Sequence, residues 1–195
     1  MFFATWTVLA QTPEEILSHM EEAFDKHESE GLVMTTDVKV PILGTTSSLL
    51  YALGDKMRVE ITMMGLTMII WSDGETEWEY NSKTNEVEIK KDSGSNDGGD
   101  AEMFGAVSDG YDVSIKKETA DAWYFVCRKS KTNTDKDAPK TIDLVVAKRD
   151  YMPLSLSAKM SGVTMTMRDI RFGVTEKQVT FDAKDYPGVK IIDKR

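Results

Sequence analysis

One stretch limits the fold more than any other. Ile69 to Ile89, IIWSDGETEWEYNSKTNEVEI, alternates apolar and charged residues on either side of two short polar turns. Ile69, Ile70 and Trp71 end one strand, and Asp73-Gly74 supplies a hairpin turn, because glycine adopts positive φ at no steric cost. Trp78 and Tyr80 then alternate with Glu77 and Glu79, the period of two that a half-buried strand requires. A polar turn at 81–85 reverses the chain again, and Val87 and Ile89 alternate with Glu86, Glu88 and Lys90. The stretch predicts three antiparallel strands with large aromatics on a greasy side and acids on a wet one.

The flanking sequence extends this pattern. Thr12 is a good N-cap, Pro13 suits the first helical position, and Thr12 with Glu15 makes a capping box. Ile16, Leu17, Met20, Ala23 and Phe24 recur at helical spacing to about His27, so this helix needs an apolar surface to lie on. Alternation resumes at Leu32 and runs through Val40, Thr46 to Leu53, and Met57 to Met63, with Leu66, Met68 and Ile70 continuing one face. Six further strands are expected at Tyr111–Lys117, Ala122–Lys129, Thr141–Lys148, Pro153–Met160, Val163–Phe172 and Gln178–Phe181, and Val189 to Ile192 closes the chain. Short connections make sequence neighbours spatial neighbours, and many short strands point to one large antiparallel sheet or barrel.

Composition excludes several functions. A formal charge of −9 in 195 residues argues against non-specific nucleic-acid binding, which needs a basic patch. No apolar run is long enough to span a bilayer as a helix. Cys127, the single cysteine, lies in an apolar strand and reads as a buried, inert thiol. His19 and His27 are two helical turns apart, too far for a paired metal site of the i, i+4 kind. The sequence contains no G-x-S-x-G, H-E-x-x-H, C-x-x-C or P-loop, and the chain reads as a non-enzyme without cofactor or metal.

Twelve methionines, many at strand positions, suit either ordinary core filling or a soft wall for variable apolar ligands. On the second reading an apolar cavity is lined by Met57, Val59, Ile61, Met63, Met68, Ile70, Trp78, Tyr80 and Met165, with Met103 and Phe104 contributed by a lid. The lid is a short apolar helical segment from Ala101 to Val107, tethered by the glycine-rich Asp92–Asp100 stretch; a helical turn packed permanently on the core is the alternative. Residues 1–10, MFFATWTVLA, end in Val8-Leu9-Ala10 and read as the remnant of a signal peptide. No cysteine follows, so a soluble domain of residues 11–195 is expected, without a lipid anchor.

Two motifs carry a family resemblance. Asp73-Gly74, Trp78 and Tyr80, followed by a polar turn and Glu86-Val87, resemble the central pattern of the LolA-type outer-membrane lipoprotein carriers. The ending with Ile170, Phe181, Pro187-Gly188-Val189 and Ile191-Ile192-Asp193 is similar to that family's ending. The resemblance covers roughly Pro13 to the C-terminus. It implies a mainly β fold: a single incomplete antiparallel barrel of about eleven strands, an N-terminal helix and a short lid helix over the cavity. It also implies a periplasmic, monomeric carrier of lipoprotein acyl chains. Its partners would be acylated lipoproteins, an inner-membrane ABC-type release complex and the outer membrane or its acceptor. The alternatives are a lipid-binding or envelope-stress-sensing module of the same superfamily and, from another class, a hydrolase on a barrel scaffold. In the family an Arg before a Pro, at the turn into the third strand, hydrogen-bonds the lid. Here Gly54-Asp55 stand in that turn, and Arg58, nearby, falls on the polar side of the alternation.

Overall fold

The computed structural model describes residues 11–42, 44–94, 107, 110–160 and 162–195. Helix α1 spans Pro13–Asp25. The Thr12 hydroxyl accepts from Glu15 N at 3.2 Å and the Glu15 carboxylate accepts from Thr12 N at 2.9 Å, so the capping box forms as the sequence predicts. One side of α1 buries Ile16, Leu17 and Met20 completely.

Among the described residues twelve strands follow: β1 Leu32–Val40, β2 Gly44–Leu53, β3 Lys56–Met63, β4 Leu66–Ser72, β5 Thr76–Asn81, β6 Glu86–Lys91, β7 Tyr111–Glu118, β8 Ala122–Lys129, β9 Thr141–Ala147, β10 Pro153–Met160, β11 Val163–Phe172 and β12 Lys190–Asp193. They form one curled, open sheet in the order β12-β6-β5-β4-β3-β2-β1-β11-β10-β9-β8-β7. This is an incomplete barrel, as expected. The sheet consists of two meanders, β1 to β6 and β7 to β11, joined where β1 pairs with β11.

Two elements differ from the sequence reading. Residues Glu176–Val179 form a single helical turn, α2, where a strand over 178–181 was expected. Thr175 and Gln178 cap it reciprocally, a signal that the short apolar pattern of Val179 and Phe181 masks. Strand β12 pairs with β6 in parallel, the one parallel ladder among the described residues (Lys190 opposite Glu86, Ile191 opposite Val87). The expected signal remnant at 1–10 lies outside the described residues. So does the expected lid, with Met103 and Phe104, apart from Val107, which is fully buried in the core beneath α1.

That core is built from the second meander together with β1. Leu32, Met34, Met167, Leu156, Leu144, Phe125 and Cys127 share one face of the sheet and close on Ile16, Leu17 and Met20 of α1. A smaller cluster lies on the opposite face, where Val33 meets Val174 and Val179 with Leu49, Tyr51 and Leu53 packed around them. The C-terminal segment therefore covers one side of the first meander, and α1 covers the other side of the second.

Candidate functional site

The site follows from register. Residues directly opposite one another in an antiparallel ladder share a face, so one face can be followed from strand to strand. Met34 lies opposite Leu50, Leu50 opposite Val59, and Val59 opposite Ile70. Ile61 pairs with Met68, and Met63 with Leu66. On β11, Met165 pairs with Val38. Met57, Val59, Ile61, Met63, Met68, Ile70 and Met165 thus lie on the α1 side of the sheet. Leu50, Met165 and their neighbours pack against the core under α1. Met57, Val59, Ile61, Met63, Met68 and Ile70 belong to neither core cluster; they are half-buried, with Met63 51% exposed. Leu66 joins this row, as its alternation with Met68 and Ile70 predicts, although it is absent from the expected cavity lining.

Trp78 and Tyr80 do not join the row. Ile70 is opposite Glu79, whereas Trp78 is opposite Trp71 and Tyr80 opposite Ile69, on the other face. There the C-terminal segment folds over them. Phe181 lies 5.2 Å from Trp71 and 6.2 Å from Trp78 between ring centroids, and Tyr186 lies 4.8 Å from Tyr80. The expectation that the aromatics face the cavity is therefore corrected: alternation separates two faces of a strand but does not say which covering element each face meets. Burial in this cluster raises the Tyr186 hydroxyl above its ordinary pKa.

Arg58 belongs to the aromatic side as well. It stands between Tyr51 and Trp71 in the ladder, its guanidinium carbon 5.6 Å from each ring centroid, and its Nη2 lies 2.5 Å from Glu60. Cation–π contact with both rings and the ion pair with Glu60 account for a cation on this aromatic face. Turned this way, Arg58 lies across the sheet from the apolar row.

The acids of β5 and β6 border that row. Glu77, Glu79, Glu86 and Glu88 share its face. Lys90 places its Nζ 2.9 Å from Glu77 and 3.0 Å from Glu79, and these two hydrogen bonds raise its pKa. Glu77 is 5% exposed, so the lysine compensates a buried carboxylate. Lys190 and Lys194 reach Glu86 and Glu88 at 2.7 and 2.6 Å. The border is zwitterionic and internally paired.

Among the described residues the remaining titratable groups form no reactive constellation. Cys127 is fully buried and its thiol is pushed up to about 11, chiefly by burial. His27 Nδ1 lies 2.7 Å from Glu30 and its ring stacks on Phe172, while His19 packs near Tyr151. Among the described residues no three His, Cys, Asp or Glu side chains converge as metal ligands. No helix among them is long and apolar enough to cross a membrane.

The curled, open sheet with its N-terminal helix is the incomplete-barrel architecture that the two motifs imply. The Mycobacterium tuberculosis lipoprotein LppX is similar over 80% of this chain and 94% of its own, at 9% identity and a TM-score of 0.51. An uncharacterized conserved protein from Thermus thermophilus matches 94% of this chain and 100% of its own, at 18% identity and a TM-score of 0.49. A LolA superfamily protein from Nitrosomonas europaea matches 89% and 99%, at 14% identity and a TM-score of 0.38. No family model matches the sequence, and neither does any curated protein.

Proposed function

We propose that this protein is a periplasmic carrier that shields the acyl chains of lipoproteins against the apolar row on β3 and β4 and passes them from the inner to the outer membrane. One observation supports this above the others: Met57, Val59, Ile61, Met63, Met68 and Ile70 share one face yet lie outside both cores. Burying one CH₂ group contributes about 0.8 kcal/mol, so a long acyl chain carries roughly 10 kcal/mol of insertion free energy and cannot cross water uncovered. Unbranched methionine side chains adapt to chains of different length and saturation. The paired acid border beside Ile70 gives the row a polar edge at which an acyl chain would stop and a headgroup or protein moiety could begin. In this reading the chain works as a binding protein without catalysis or cofactor. An inner-membrane ABC-type complex loads it, and the outer membrane or its acceptor unloads it.

The test uses residues 11–195 and a fluorescent fatty-acid probe. Ile61→Glu and Met68→Glu should each abolish probe binding while the circular-dichroism spectrum stays that of the folded protein. Unchanged affinity in both variants would sink the assignment. Added to spheroplasts producing a labelled lipoprotein, the protein should release it as a soluble one-to-one complex. Probe binding without release would favour a lipid-binding or sensing relative on this fold.

A further inference from the structure

We propose that the hairpin tips at one end of the sheet form a docking edge for an anionic membrane surface. Three of the turns at that end carry no acid. β1 and β2 close at Val40 opposite Gly44, β3 and β4 at Met63 opposite Leu66, and β10 and β11 at Met160 opposite Val163. Lys39 is opposite Thr164 and Ser47 is opposite Thr62, so the order β4-β3-β2-β1-β11-β10 lines the three tips up along one rim.

Ile42 and Met64 crown two of these tips. Both are fully exposed, and both adopt positive φ, 73° and 51°, a conformation that favours Gly or Asn and disfavours a β-branched residue most. Large apolar side chains are thus held in water, at a backbone cost, by turns that Asn or Gly would form more easily.

Charge identifies the surface they meet. The chain carries 33 acids, yet residues 38–46, 61–68 and 158–166 contain none. Their charged residues are Lys39 and Lys159, both exposed and both opposite Thr164, one strand to either side of it. The rest of this chain of net charge −9 is repelled by an anionic bilayer, so the acid-free rim is the edge that approaches one. Lysines beside apolar tips match the headgroup level and the acyl boundary below it. The tips project from separate hairpins, and a fluid interface receives such isolated side chains without complementary pockets. The rim and the acyl-binding row are separate claims: Ile42 and Met64 are turn residues that the row does not use.

Flotation with vesicles decides the matter. The protein should float with phosphatidylethanolamine–phosphatidylglycerol vesicles at low salt and much less with phosphatidylcholine. The double variant Ile42→Asn/Met64→Asn, whose new residues suit the turn conformation, should partition about tenfold or more weakly while keeping its circular-dichroism spectrum and fatty-acid-probe affinity. Lys39→Gln/Lys159→Gln should lower binding to the anionic vesicles toward the phosphatidylcholine level. The proposal is overturned if the wild-type protein floats with neither vesicle or if the Asn variant floats as well as wild type. It is equally overturned if the wild-type protein elutes as an oligomer that the Asn variant dissolves, which would make the rim a contact between copies.

Discussion

Ile70 and Glu79 face each other across the β4–β5 ladder, on the same side of the sheet. At this pair the apolar row ends and the acid border begins. The border stays charged because Lys90, Lys190 and Lys194 neutralise it from within. Lys90→Met should leave the Glu77 carboxylate, 5% exposed, without this ion-pair partner. The expected result is a loss of about 1–3 kcal/mol in urea unfolding at pH 7, with part of the loss recovered at low pH as the carboxylates protonate.

The aromatic face gives a contrasting expectation. Trp78→Ala removes a ring stacked 6.2 Å from Phe181 on the side away from the row. It should cost about 2–4 kcal/mol of stability, since Trp to Ala changes in packed sites cost about 3–5 and this ring is only half-buried. Probe affinity, measured where the variant remains folded, should stay within about twofold of wild type, since a change of well under 1 kcal/mol is all an uninvolved face transmits. A large affinity loss would place Trp78 in the binding surface after all.

Gly31 sits where the helix hands over to β1. Its φ is +76°, and a Cβ there would lie 2.6 Å from Ala52 O and 2.8 Å from Val174 Cβ. Gly31 O also accepts from Gly173 N at 3.2 Å. Gly31→Ala should destabilise the fold by more than about 2 kcal/mol by thermal unfolding, because steric overlap adds to backbone strain. Gly54→Asn, at φ +59° with open space around it, should be close to neutral.

Two pH responses follow from burial and pairing. The hydrogen bonds from Arg168 and then Ser47 hold the Asp37 carboxyl below its ordinary 3.8. A folded-state pKa below the unfolded one stabilises above 3.8 and is lost as pH falls through the lower value. Asp37→Asn should therefore weaken the protein by up to about 1 kcal/mol near neutrality, and the difference should vanish in acid. Cys127 has the opposite sense. With its thiol raised to about 11, the folded state keeps a proton that the unfolded state releases near 9, so stability declines as pH climbs from 9 toward 11. Native protein at pH 8 should resist iodoacetamide, and unfolded protein should react at once.

How far the sequence anticipates this structure depends on what each signal encodes. The β4–β6 meander and the α1 capping box are legible because both are local: a turn residue, a cap and a period of two suffice. The row from Met57 to Ile70 is legible for the same reason. The orientation of Trp78 and Tyr80 is not, because the residues that cover them, Phe181 and Tyr186, lie about a hundred positions away. The same distance hides the parallel pairing of β12. Helix α2 escapes because four residues are too few to display a helical period.

That remote pairing has a consequence for the chain as it is made. Lys190 and Glu86 are 104 positions apart, and β12 supplies the partner for the β6 edge. The segment ending in β12 also supplies Phe181 and Tyr186, the cover for Trp71, Trp78 and Tyr80. Synthesis proceeds from the N-terminus, so the first meander emerges with an unpaired strand edge and a bare aromatic face, and keeps both until residues 181–193 arrive. Such edges and faces are what chaperones grip and aggregates recruit. Residues 181–193 therefore complete the first meander from a distance: a chain that stops short of them leaves that edge and that face on its surface.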